Sequence, residues 1–228
     1  MKILALDAAT EACSVALQID DSIIHRFEVC PQQHSQKLLP FVDEVLGDAG
    51  ITLNQLDAIA FGQGPGSFTG VRIGVSITQG LAFGADLPVI GVSNLAAMAQ
   101  QAIAEHQAER VVAAIDARMS EVYLGIYDNA SGMAKLIGTE CVAKPQEIVW
   151  PTGLQDKHLW AVGTGWQTYG ELLVEQISAN STGVNLPSAE HMLPIAIAEF
   201  QAGNARPAEL AQPNYVRDEV TWQKLPGR

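Results

Sequence analysis

The chain has 228 residues, enough for one large domain or for two lobes of about 100 residues each. Hydrophobic residues make up 48% and charged residues 17%, which excludes an intrinsically disordered chain. The net charge is −12, with 4 basic against 11 acidic residues up to Glu105 and 9 against 14 from His106 onward; without a dense Lys/Arg cluster in either half, tight unaided binding to nucleic acid is excluded.

Residues 2–6 (KILAL) are a continuous apolar run, the pattern of a strand buried on both faces. Residues 13–19 read as a second strand, Asp20-Asp21-Ser22 as a turn and residues 23–29 as a third strand. The period then changes. Leu38, Val42, Val45 and Ala49 recur at helical spacing with Leu39 and Leu46 beside them, and Gly50 ends a helix over about residues 35–49. Phe41 falls outside that arc, beside Lys37, Glu44 and Asp48, and is expected on the surface. Residues 57–61 (DAIAF) form a strand that runs into GQGPGSFTG and a helix over about residues 69–83. A short strand at 88–92 and a helix from 93 or 94 to about 106 follow, and the order predicts a mixed sheet covered by helices.

The second half repeats the opening. KILALDAATEACSVAL and VVAAIDARMSEVYLGI are each an apolar strand ending in Asp, a short polar loop and a second strand, and aligning Asp7 with Asp116 gives an offset of 109 residues (116 − 7). Later strands are expected at 133–142 and 158–162 and helices at 166–177 and 188–202. The pattern implies two lobes of similar topology, residues 1–105 and 106–203. Residues 204–228 are expected to pack back on the first lobe, because Tyr215, Val216, Trp222 and Leu225 are costly to expose.

Residues 62–70 (GQGPGSFTG) are neither a GxGxxG fingerprint, since Ser67 stands at the last glycine, nor a P-loop, since no GK[ST] follows. They read as a strand–loop–helix junction in which Ser67 or Thr69 caps the helix. Two roles are open to it: a tight structural turn, or an anion site formed by Gly64, Gly66 and Ser67. Asp7 and Thr10 stand in a loop where they can hold a metal-bound water and a phosphate, or simply cap a strand end; Ala8 and Ala9 replace the glycines that a phosphate loop uses. Arg118, after Asp116, is read chiefly as an interlobe salt bridge. The helix at 69–83 carries Gly70, Gly74, Ile77, Leu81 and Gly84 on one face, with Arg72 and Gln79 its only large polar groups, which suits either packing on the chain's own sheet or a helix–helix interface.

No catalytic constellation is legible. His25, His34, His106, His158 and His191 form neither HxxxH nor HExxH, so no metal site is expected. His34 is read as an exposed residue or a helix cap, with Leu38 where a second ligand would stand. Cys13, Cys30 and Cys141 are far apart and without CxxC, which argues against disulfides and zinc. The N-terminus lacks a signal-peptide core and no apolar stretch approaches about 20 residues, so a cytoplasmic, soluble protein is expected.

The stretches ILALDAATEACSVAL, HSQKLLP, GQGPGSFTGVRIG, AAIDARMSEVYLGIYD, VGTGW and YVRDEVTWQKLPG together resemble the TsaB (YeaZ) family of the tRNA threonylcarbamoyladenosine pathway, essentially end to end. The resemblance implies an α/β chain with the duplicated actin/Hsp70/sugar-kinase-like fold. It implies kinship with TsaD, which transfers the threonylcarbamoyl group and whose HxxxH motif reads here His34-Ser35-Gln36-Lys37-Leu38. The implied role is non-catalytic: a partner of TsaD, in a complex with the ATPase TsaE, and a homodimer when alone. No cofactor of its own is implied, with ATP or ADP bound weakly or at the interface with TsaD. The expected interface is Leu38, Phe41, Val42 and Val45 of the first helix with Gly70, Arg72, Gly74, Ile77 and Leu81 of the second. An independent nucleotide-dependent enzyme on this fold, or a glycoprotease-like metallopeptidase, are the alternatives.

Overall fold

A computed structural model of the protein describes residues 1–216; Trp222 and Leu225, expected to pack on the first lobe, lie outside the described residues. The opening run folds as β1 (Lys2–Asp7), buried from Ile3 onward, and continues through β2 (Ala12–Ile19) and β3 (Ser22–Val29). The helix α1 (His34–Ala49) ends at Gly50, whose φ of +65° explains the glycine there. Then come β4 (Ala58–Gly64), α2 (Phe68–Ala85) and β5 (Val89–Ser93). The sheet order is β3-β2-β1-β4-β5, antiparallel on the β1–β2–β3 side and parallel on the β1–β4–β5 side.

The second sheet copies the first. β6 (Arg110–Arg118), β7 (Glu121–Ala130), β8 (Met133–Ala143), β9 (Leu159–Val162) and β10 (Asn180–Ser181) run in the order β8-β7-β6-β9-β10, with the same two antiparallel and two parallel pairings. This duplication is that of the actin/Hsp70/sugar-kinase-like fold.

Each sheet has helices on both faces. α1 and α2 cover one face of the first sheet, burying Leu38, Val42, Val45, Val71 and Val75 with Leu4, Leu6, Val15 and Leu17. Its other face carries α5 (Ala189–Gln201), whose Ala189, Met192, Leu193 and Ala196 lie on Ile3, Ala5, Ala58 and Ala60; the alanines let the helix approach closely. α3 (Asn94–His106) follows the first sheet in sequence but packs on the second, with Leu95, Met98 and Ala102 against Val111 and Ala113. α4 (Thr164–Val174) closes the remaining face through Leu173. Thus α3 and α5 each cover the sheet that chain order does not assign to them, and they meet between the two sheets.

After α5 the chain turns back over the first sheet. Arg206 exchanges backbone hydrogen bonds with Val89 (2.7 and 2.9 Å), Gln79 Nε2 donates to Ala211 O (2.8 Å), and Asn214 N donates to Gln63 O (2.7 Å). Ala208 and Ala211 are buried in the first core. The three cysteines are free, and among the described residues no helix is long and apolar enough to cross a membrane.

Candidate functional site

A cleft of about 1460 Å³ opens between the two sheets, where the β1–β2 and β4–α2 loops face the β6–β7 turn and the start of α4. Thr10, Gly66 and Ser67 line it; Asp7 and Gly64, expected beside them, do not. Asp7 is sealed. Its Oδ1 accepts hydrogen bonds from Asn94 Nδ2 (2.6 Å) and Ala9 N (3.3 Å), and a side chain at Gly62 would collide with it. Its Oδ2 is buried without a hydrogen-bond partner among the described residues, and burial pushes the carboxyl up to about 6.

Two backbone donors of the glycine-rich loop turn inward. Gly64 N donates to Asn94 Oδ1 (2.9 Å) and Ser67 N to Ala9 O (2.6 Å). Ser67 is the cap of α2, its Oγ accepting from Gly70 N (3.3 Å). The β1–β2 loop therefore lies directly on the start of α2. A Cβ on Gly70 would run into the carbonyl oxygen of Ala8, and one on Gly66 into that of Ala9. Gly74 is buried near Ala8 as well. The single glycine face expected for α2 is thus split: Gly70 and Gly74 meet the chain's own loop, while Gly84, like Gly80 beside that face, has open space around it among the described residues. Gly70→Ala is expected to destabilise the fold by about 1–3 kcal/mol, because backbone must move. Gly80→Ala is expected to stabilise it by up to about 1 kcal/mol through helix propensity. Urea unfolding of the two variants measures both; equal effects would mean that the loop is not seated on α2 in this way.

His34 corrects an expectation. It is neither exposed nor a cap: it begins α1 as a buried residue lining the cleft, and its Nε2 has no hydrogen-bond partner among the described residues. Leu38, one turn on, points into the core. Among the described residues, no group of three or more His, Cys, Asp or Glu side chains is placed to hold a metal ion.

Arginines stand on both walls. Arg72 donates to Phe68 O (3.0 Å), and its guanidinium lies 3.2 Å over the Phe68 ring and 5.1 Å from that of Tyr215. Arg72 therefore belongs to the cleft. Arg118 pairs with Asp116 (3.2 Å) and reaches Glu11 (3.6 Å) on the opposite wall, the interlobe salt bridge expected of it.

The outer face of α1 and α2 differs most from the sequence expectation. Phe41 is 8% exposed and lies in the first core with Leu38, Val42 and Val45, whereas Leu39, expected on the core arc, is 47% exposed. The buried positions 34, 38, 41, 42, 45 and 46 follow the three–four spacing of a helix stripe, which admits Phe41 and leaves Leu39 off it. Leu39, Pro40, Val42, Leu46, Leu53 and Leu81 line a groove of about 730 Å³ between α1 and α2, edged by Asp43 and Glu44. Ile77 and Leu81 are half-buried. Ser76, Gly80, Gly84 and Phe83, the last 78% exposed, continue the surface along α2. Leu39 and Phe83 are the residues that sequence reasoning missed, and a strict reading of the spacing would have found Leu39.

The family model for TsaD, tRNA N6-adenosine threonylcarbamoyltransferase, matches residues 27–224. Over 231 aligned residues the chain is 50% identical to the tRNA threonylcarbamoyladenosine biosynthesis protein TsaB of Escherichia coli (strain K12), with 100% of both chains covered. The chain belongs to the TsaB (YeaZ) family. The TsaB of Haemophilus influenzae is 46% identical, with 100% of this chain and 98% of the relative covered. The solved structure of YeaZ from Pseudomonas aeruginosa is similar, with a TM-score of 0.88 and 45% identity over 94% of this chain and 99% of that one. Membership in the TsaB family gives the chain a role in tRNA threonylcarbamoyladenosine biosynthesis.

Proposed function

We propose that the chain is a non-catalytic partner and activator of TsaD, working in the cytoplasm in a complex with TsaD and the ATPase TsaE, and that the surface which binds TsaD forms a homodimer when the chain is alone. The observation that carries this reading is the groove between α1 and α2 with its exposed Leu39, together with the exposed Phe83 and the open glycines on the outer side of α2. Large apolar groups without cover, next to positions where a second helix can come close, suit a protein interface. Two copies of a shared ancestral fold can pair through the same face, so a homodimer can imitate the heterodimer. The inward-turned N–H groups of Gly64 and Ser67 and the sealed Asp7 favour weak binding of ATP or ADP by the chain alone, with Thr10, Gly66 and Ser67 on the wall and the site completed at the interface with TsaD. The −12 charge leaves tRNA to the other subunits.

The test is reconstitution of tRNA modification with TsaD and TsaE, omitting each component in turn. Activity is expected to need this chain while none is found with the chain alone. Leu39→Glu and Phe83→Glu are expected to weaken both TsaD association and homodimer formation by about 2 kcal/mol, the scale of a hot-spot residue, at nearly unchanged melting temperature. Wild-type affinity in both variants, measured by calorimetry, would remove the groove from the interface.

A further inference from the structure

The turn between β6 and β7 departs from local conformational rules at three consecutive residues. Arg118, Met119 and Ser120 have φ of +63°, +55° and +63°, a region that side chains other than glycine and asparagine seldom occupy. The register shifts between Asp116 and Arg118, so Ala117 is a bulge, and Met119-Ser120 form a two-residue hairpin loop where Asn-Gly is the usual choice. Strain kept at one place is held there by the surrounding structure, and such outliers gather at switches and sites.

The outcome of this geometry is the aim of one side chain. The bulge turns Arg118 across the cleft mouth. Its N–H donates to Asp116 Oδ1 (2.9 Å) and its Nη1 to Asp116 Oδ2 (3.2 Å), while Nη2 lies 3.6 Å from Glu11 Oε1 on the β1–β2 loop. Asp116 is itself fixed: Tyr169 Oη donates to Oδ1 (3.3 Å), and the Asp116 N–H donates to Thr164 Oγ1 (3.1 Å). One guanidinium thus bridges carboxylates that belong to the two sheets. Glu11 stands in the loop whose Ala9 carbonyl takes the Ser67 N–H at the start of α2.

We propose that residues 118–120 are an interlobe latch, in which the strained turn holds Arg118 over Glu11 and so fixes the opening of the cleft. The pair is 77% and 46% exposed, weak and screened by salt, which makes the latch reversible rather than structural. Because the β1–β2 loop seats on α2, opening the latch changes the footing of the helix that the proposed function gives to TsaD. That consequence rests on the proposed function; the latch itself does not.

The experiment uses the full chain alone. Cys141→Ser leaves only buried thiols, and cysteines at the exposed Gln36 on α1 and Glu171 on α4 take nitroxide labels on the two sides of the cleft. The labelled protein is diluted with unlabelled chain, and the distance between labels is measured by pulsed electron resonance at 50 mM and at about 1 M salt, where the Debye length falls to about 3 Å. Expected is one narrow distribution at low salt that broadens to longer distances at high salt. Glu11→Gln and Arg118→Asn, which tolerates the left-handed backbone, are expected to give the broad distribution at both salts. Arg118→Gly is expected to open the cleft likewise and yet raise the melting temperature, since glycine relieves the strain. A distribution unmoved by salt and by both polar variants overturns the latch, and a lower melting temperature for Arg118→Gly overturns the stored strain. Loss of the TsaD interface reading would leave all of these readings of the isolated chain unchanged.

Discussion

Phe41→Ala is expected to lower folding stability by about 3–5 kcal/mol, the range for removing a buried phenylalanine ring from a core. Phe41 lies between the helix and the first sheet, 8% exposed, in one cluster with Leu38, Val45, Val15 and Leu17. Truncation leaves a cavity that these β-branched and leucine side chains, fixed by strand and helix backbone, fill only in part. Phe41→Glu adds a buried charge without a partner and is expected to cost more still. Leu39→Ala, two residues away but on the solvent side, is expected to change stability by about 0.5 kcal/mol or less. Urea denaturation of the three variants, with midpoints compared at constant slope, reads these differences. If Phe41→Ala unfolds at the wild-type midpoint, the burial of Phe41 is wrong and the sequence expectation of a surface aromatic returns.

The contrast between Phe41 and Leu39 shows which part of the fold a sequence displays. The existence of α1 and its end at Gly50 follow from period and backbone chemistry, which act over a few residues. The orientation of the helix about its axis depends on a difference of one residue in the stripe, and the charged neighbours Lys37, Glu44 and Asp48 drew Phe41 to the wrong side. They do so because their partners lie elsewhere: Lys37 pairs with Glu28, and Glu44 and Asp48 with Arg26, all on β3 at the edge of the same core. The duplication was legible because strand, polar loop and strand recur at a fixed offset. The exchange of α3 and α5 between the sheets was not, since an apolar face states that a helix is covered and not by what. Asp7 is similar. D-A-A-T reads as an open loop, and the groups that close it, Gly62 and Asn94, stand far along the chain. Ser67 was legible as a cap because cap and helix are adjacent.

Asp7→Asn is expected to change how stability depends on pH, by roughly 3 kcal/mol across the window that its carboxyl sets. Burial raises the Asp7 pKa from the usual 3.8 to about 6 in the folded chain. A rise of about 2 units corresponds to roughly 3 kcal/mol. The sign follows from which state holds the proton. Below about pH 4 Asp7 is neutral both folded and unfolded and costs nothing. Between about pH 4 and 6 the unfolded chain releases the proton while the folded chain keeps it, so stability falls as pH rises. Above about pH 6 the folded carboxylate is charged too, and the full cost remains as a plateau. Asparagine keeps an oxygen to accept from Asn94 Nδ2 and Ala9 N and carries no charge to bury, so the variant lacks this loss. The difference in unfolding free energy between Asp7→Asn and the wild-type chain is therefore expected to rise in favour of the variant from pH 4 to 6 and to stay level from pH 6 to 8. Denaturant unfolding at each pH measures that difference, and taking it between two chains alike in every other titrating group cancels their contributions. A difference that is flat from pH 4 to 8 would mean that the carboxyl titrates as an exposed aspartate does, and with it the seal formed by Gly62 and Asn94 would be lost.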